Sequence, residues 1–225
     1  MCIRDSSKAA WVQLAFYGGY ATMAIPAAIF VRRFNYKKGI ILGLALYSLG
    51  ALLFYPAAKF EAFGYFLISL YILTFGLAFL ETTASPYIMS MGEDNTATRR
   101  LNLAQAFNPF GSLLGMFVAS NFILSKLKSD RRDISGELLF NSLGDTEKAI
   151  IRTHDLSIIS MPYIILGFFV AGMLILITIT KMPNKISESH LSNEFEAFKR
   201  LFRNANYREG VNAQMFYVCL LYTSP

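Results

Sequence analysis

Glu81 is the one acid in an apolar stretch, Gly64–Met91, where it sits in the string FGLAFLETTASPY. Drawn as a helix, that stretch puts Glu81 about 26 Å from Gly64 and about 15 Å from Met91. Both distances lie within hydrocarbon depth, so the carboxyl needs a bundle interior or a water path to face. Desolvation disfavours the charged form, while water reaching the group from one side favours release of its proton. Those are the requirements of a proton-coupling group. The plainer alternative is a carboxyl that stays protonated and donates one interhelical hydrogen bond.

Around Glu81 the residue types extend the same chemistry. Ser85 follows one helical turn later and shares its face. Pro86 has no N–H to give, so it frees the carbonyl of Thr82 and predicts a kink there. A serine filling the gap beside a proline kink is the alternative reading of this polar patch. Further on, RRLNLAQAFNPFGSLLGMFVAS carries Gln105 and Asn108 three residues apart on one face, with Pro109 freeing the Gln105 carbonyl. Each amide offers a donor and an acceptor, which suits the adjacent hydroxyls of a sugar. Amides also bridge membrane helices, and that reading stays open. Pro26 predicts another kink, in the first apolar block. Gly111, Gly115 and Ala119 recur every four residues, as do Gly39 and Gly43. Such small-residue stripes let helices approach closely, so packing is the expected role.

The elements that must carry these residues are membrane helices. Of 225 residues, 54% are hydrophobic and only 16% charged, and the charges fall between long apolar blocks. A bilayer needs roughly 20 mostly apolar residues per spanning helix. Five blocks qualify: Trp11–Phe30, Gly39–Ala58, Gly64–Met91, Leu101–Leu124 and Leu156–Thr180. Spanning segments must satisfy their own backbone hydrogen bonds, and the blocks lack the alternation of barrel strands, so the fold class is an all-α membrane protein. The blocks form one bundle over residues 7–182, followed by a polar linker over 183–210 and the start of another helix over 211–218. The net charge of +6 is read as a topology signal. No Lys/Arg tract with interleaved aromatics points to nucleic acid. Phosphate-binding glycine loops, HExxH and nucleophile elbows are absent, so no enzyme is expected. Cys2 and Cys219 lie at the two ends and suggest neither a disulfide nor a metal site. His154 and His190 lie in polar connections and are read as solvated.

Charge sets the orientation. VRRFNYKK, residues Val31–Lys38, holds four basic residues and no acid, which places it in the cytoplasm. Alternation then puts Lys59–Phe63 outside, Gly92–Arg100 inside, Ser125–Asp155 outside and Lys181–Gly210 inside. The first block therefore starts outside, as expected if one helix precedes it. Glu137–Phe140 and Thr146–Thr153 could form short helices in the outer loop. Ile186–Asn206, with Phe195, Phe198, Leu201 and Phe202 at helical spacing, fits an amphipathic surface helix or a tether between two bundles. The terminal strings MCIRDS and CLLYTSP resemble translated sequencing adapters. Residues 1–6 and 219–225 are therefore expected to be foreign to the fold.

The strings GLAFLETTASPYIMSMG and RRLNLAQAFNPFGS resemble the fucose permease family, the sugar:proton symporters of the major facilitator superfamily. The upstream AIPAAIFVRRFNYKKGIILGLALYSLGALLFYPAA and the late YREGVNAQMFYV are similar to it too, so the likeness runs from about Trp11 to Val218. The resemblance implies a fold of twelve helices in two halves, with inverted repeats and a site at mid-membrane. This chain would supply helices two to six and the start of helix seven, an incomplete N-terminal half-bundle. The resemblance further implies a monosaccharide substrate of the fucose, glucose or galactose type, driven by protons rather than by a bound cofactor. It matches Glu81 to the family's helix-four glutamate, and Gln105 and Asn108 to its helix-five amides. Ser85 stands where the family usually has asparagine, which bears on substrate choice or coupling. The expected location is a bacterial inner membrane, and the expected partners are the sugar, the bilayer, a first helix and a C-terminal half. A sodium-coupled transporter, an exchanger and a non-transporting sugar sensor are the competing readings.

Overall fold

A computed structural model describes residues 3–129, 143–181, 199–200 and 203–223. The chain forms two compact units, 1–185 and 186–225. Every regular element among the described residues is helical. The first unit holds α1 (Ile3–Arg33), α2 (Tyr36–Leu52), α3 (Phe54–Phe60), α4 (Phe63–Ser90), α5 (Ala97–Gln105), α6 (Phe107–Val118) and α7 (Asp145–Ile179). The second unit holds α8 (Ala205–Thr223). Five spans are long and apolar enough to cross a membrane: Ala10–Arg33, Tyr36–Phe60, Phe63–Ser90, Asp94–Lys126 and Thr146–Ile179. Each overlaps one of the blocks expected from sequence. Glu137–Phe140, His190 and most of Ile186–Asn206 lie outside the described residues. α1 reaches back to Ile3 and α8 runs on to Thr223, through parts of both terminal strings.

Prolines divide these spans unequally. α1 and α4 run unbroken past Pro26 and Pro86. The second span changes helix at Leu53, three residues before Pro56, and the fourth changes at Ala106, three residues before Pro109. A proline cannot bond the carbonyl four residues back, which weakens the turn it follows. α6 then ends in a π-helical turn, Ala119–Ile123, and a short 3-10 turn, Leu124–Lys126.

The core lies where α2, α4 and α7 meet. Ile40, Leu44, Tyr87 and Val170 form one buried cluster, and Ala51, Phe54 and Leu73 form another. The α2–α4 contact is a glycine crossing. A Cβ placed on Gly76 would lie 2.3 Å from the Tyr47 nitrogen and 2.6 Å from the Gly43 carbonyl oxygen. One placed on Gly50 would lie 2.4 Å from the Leu73 nitrogen. The two backbones thus touch with no side chain between them, as small residues permit in lipid. Gly39 lies against Thr83 and Gly43 against Leu80 on the same seam. α7 joins through the buried Ser48 hydroxyl, which donates to the Gly167 carbonyl at 3.0 Å, and through the stacked rings of Phe54 and Tyr163. α1 lies against α4 at Gly19, whose Cβ would sit 3.0 Å from Thr74 Cβ. In contrast, no residue of Asp94–Lys126 is buried, and nothing lies within 4 Å of a Cβ on Gly111 or Gly115.

Polar side chains close the helix ends. Arg100 donates to the carbonyls of Ile88 at 3.3 Å, Met89 at 2.9 Å and Glu93 at 3.1 Å, and also to Thr96 Oγ1. It therefore caps the open carbonyls at the end of α4, where a cation also complements the helix dipole. Gly92, at φ +95, turns the chain so that the guanidinium fits beneath it. Lys37 does the same for α7, donating to Thr178 and Thr180 carbonyls at 2.9 and 2.8 Å. At the opposite membrane side, Asp155 accepts from the backbone nitrogens of Lys128 at 3.0 Å and Ser129 at 2.9 Å. Glu61, left-handed at φ 49, accepts from the Thr153 hydroxyl. His154 departs from expectation. α7 begins eleven residues before the block read from hydropathy, so His154 is inside a helix rather than a connection. Its Nδ1 lies 3.2 Å from Asp155 Oδ1.

Two outcomes follow for the full-length protein that contains this chain. Gly76→Ala forces α2 and α4 apart and costs about 1–3 kcal/mol. It lowers the apparent melting temperature in detergent, whereas Gly64→Ala, with nothing within 4 Å of the new carbon, does not. Arg100→Gln uncaps α4 at a cost of about 1–3 kcal/mol. Amide hydrogen exchange across residues 86–92 accelerates, and Arg100→Lys restores only part of the protection, because an ammonium lacks the planar fork.

Candidate functional site

Glu81 is exposed on α4. The residues that flank it on the helix show why it points there. Thr83 is fully buried and donates to the Phe79 carbonyl at 2.6 Å, and Phe79 is itself buried against Phe30 of α1. The glycine crossing with α2 occupies the Gly76 and Leu80 side. Those contacts fix the rotation of α4 and leave the Glu81 direction open.

One contact between α1 and α4 was not legible in the sequence: the Thr22 hydroxyl pairs with the Tyr71 hydroxyl at 3.0 Å. The close approach of α1 at Gly19 is what brings these two helices together.

Ser85 and Thr82 are half-buried beside Pro86. Gln105 and Asn108 are exposed on either side of the break at Ala106, with Gln105 ending α5 and Asn108 in the first turn of α6. The Asn108 carbonyl accepts from the Ser112 hydroxyl at 3.2 Å. No hydrogen bond joins Glu81 to Ser85, Gln105 or Asn108. The carboxyl and the two amides are alike in being polar, exposed and on membrane-spanning elements. Pro26 lies one turn after Thr22, whose hydroxyl bonds the Gly18 carbonyl at 2.8 Å and pairs with the Tyr71 hydroxyl at 3.0 Å. Gly111, Gly115 and Ala119 lie on the bare fourth span. Among the described residues no three His, Cys, Asp or Glu side chains gather as a metal site would need.

The chain matches the model of the Major Facilitator Superfamily over residues 4–224. It is 61% identical over 214 residues to the L-fucose-proton symporter of Haemophilus influenzae, covering 95% of this chain and 50% of that protein. It is 35% identical to the L-fucose-proton symporter of Escherichia coli, covering 94% and 48% of the two. A crystal structure of the Escherichia coli fucose:proton symporter superposes with a TM-score of 0.80 at 33% identity, over 94% of this chain and 51% of that one. The chain thus spans about half the length of the curated relatives it matches. An all-α set of five apolar spans, matched along nearly its whole length, leaves one conclusion: the chain belongs to the Major Facilitator Superfamily.

Proposed function

We propose that the protein containing this chain imports a monosaccharide across a bacterial inner membrane by proton symport, with L-fucose the leading candidate. The observation that carries this reading is Glu81, an acid exposed on a membrane-spanning helix whose other faces are taken up by packing. An ionisable group in that setting marks a substrate or ion path. The names of the relatives support the substrate class, since the fucose-proton symporters match along 95% and 94% of this chain. The glucose/galactose transporter of Brucella abortus matches 51% of it at 38% identity.

In this reading a proton arriving from outside neutralises Glu81. The neutral acid can then donate to a sugar hydroxyl without a buried charge to solvate. Gln105, Asn108 and Ser85 supply further donors and acceptors for the ring hydroxyls. The loaded carrier changes its open side, and release of sugar and proton inside resets Glu81. No metal or organic cofactor takes part. The sugar site would be completed by the remainder of a protein about twice this length, as in the superfamily's paired bundles.

Glu81→Gln keeps the shape and the hydrogen-bonding capacity but cannot exchange a proton. In membrane vesicles bearing the full-length variant, accumulation of labelled fucose under an inward proton gradient falls to the level seen with an ionophore. Exchange of internal for external fucose persists. Unimpaired proton-driven accumulation in Glu81→Gln would reduce Glu81 to a structural hydrogen-bond donor. Uptake that follows a sodium gradient would assign a different coupling ion, and binding without uptake would indicate a sensor.

A further inference from the structure

Three helix ends meet on the side that charge assigns to the cytoplasm. Arg32 and Arg33 close α1, and Lys37 and Lys38 open α2. The Lys37 ammonium donates to the Thr178 and Thr180 carbonyls of α7, which brings Lys181, the next residue, to the same corner. Arg32, Lys38 and Lys181 are exposed. The sequence has no acid from residue 6 to 60 and none from 156 to 187, so these three helix ends carry charge of one sign. Glu93 and Asp94 belong to the link after α4, where the Arg100 guanidinium is held against the Glu93 carbonyl. The corner is also amphipathic. The Lys38 ammonium lies over the Phe34 ring, 5.4 Å from its centre, and Phe34 packs on Phe30 at 4.6 Å. Phe34 is 48% exposed, and Leu176 and Ile179 are exposed on the last turn of α7, just before Lys181. Apolar surface on α1 and α7 therefore leads up to the cations, whose own stems are apolar below a charged head.

We propose that this corner binds an anionic phospholipid of the cytoplasmic leaflet, its phosphate drawn to Arg32, Lys38 and Lys181 and its acyl chains lying along Phe34 and the end of α7. Setting orientation asks only for positive charge somewhere in a loop. Here Lys37 ties two such segments together, and that makes a fixed place for a negative group. Basic pockets between membrane helices on the cytoplasmic side take anionic headgroups in this way. Free phosphate carries the charge but has no chains to cover Phe34, Leu176 and Ile179, so the lipid is the better fit to the whole surface. The assignment is independent of Glu81 and of the sugar.

The test uses the full-length protein in neutral detergent micelles, titrated with phosphatidylglycerol and read by native mass spectrometry as lipid retained per protein. Wild type retains phosphatidylglycerol at lower concentration than phosphatidylcholine of the same chains, and the preference shrinks as salt rises. Lys38→Gln combined with Lys181→Gln raises the concentration for half occupancy about thirtyfold, since each cation near the headgroup is worth roughly a fivefold factor. Arg32, Arg33 and Lys37 are kept, so the orientation signal persists. Lys126→Gln combined with Lys128→Gln removes the same charge at the opposite side, where Lys126 also lies over a ring, that of Phe122, and leaves half occupancy unchanged. An unchanged half occupancy in the first pair, or an equal loss in the second, overturns the proposal. If the first pair does not fold, wild type alone decides, because equal retention of phosphatidylglycerol and phosphatidylcholine also overturns it. Displacement of the lipid by excess inorganic phosphate would make this a site for the anion alone and would overturn the role of the chains.

Discussion

A bilayer interior offers no hydrogen bonds, and almost every polar feature of this chain answers to that constraint. Ser69, Thr74 and Thr83 bond the carbonyls four residues behind them, at 2.8, 2.7 and 2.6 Å, and so hide their hydroxyls within their own helix. Ser48 reaches across to α7 instead. Where a helix stops, its last carbonyls need donors, and Arg100 and Lys37 supply them for α4 and α7. The basic residues at the expected cytoplasmic ends therefore have two roles. They set orientation, and they close the carbonyl ends of the helices that arrive there.

Packing decides which polar groups are not hidden in this way. Bare backbone contact at Gly76, Gly43 and Gly50 locks α2 to α4, and α7 covers α2 at Gly167. α1 takes the remaining tight contact on α4. The fourth span is held differently. Arg100 ties its α5 end to α4, and Asp155 grips the backbone just beyond its far end, while its middle has no buried residue. Glu81, Gln105 and Asn108 are thereby exposed along with a run of large apolar side chains such as Phe107, Phe110 and Leu113. The chain spans about half the length of the curated relatives it matches, and transporters of the superfamily enclose their site between two bundles.

The five spans were legible because apolar length is the strongest signal a membrane protein gives. Their ends were less so. Hydropathy cannot see that Pro56 and Pro109 interrupt a helix where Pro26 and Pro86 do not, since all four stand in similar apolar surroundings. Thr146–Thr153 was visible as helical but not as the first turns of α7, and His154 and Asp155 were misplaced with it. Glu81 stood out by its rarity in the block. The Thr22–Tyr71 pair could not, because hydroxyls and aromatics are common here and only the glycine-set approach of α1 brings these two together. The Gly111 stripe illustrates the same limit. Spacing marks a face fit for close packing, but not whether a partner lies on it within this chain.

Glu81, exposed on a membrane-spanning helix, and the fucose-proton symporters matched along the chain make a joint movement of sugar and proton the central claim. The most direct measurement is the external pH of a lightly buffered suspension of vesicles containing the full-length protein, after L-fucose is added with no gradient imposed. Symport predicts a prompt alkalinisation that an ionophore abolishes, as each entering sugar brings a proton with it. Entry of labelled fucose with no change in external pH would contradict the account.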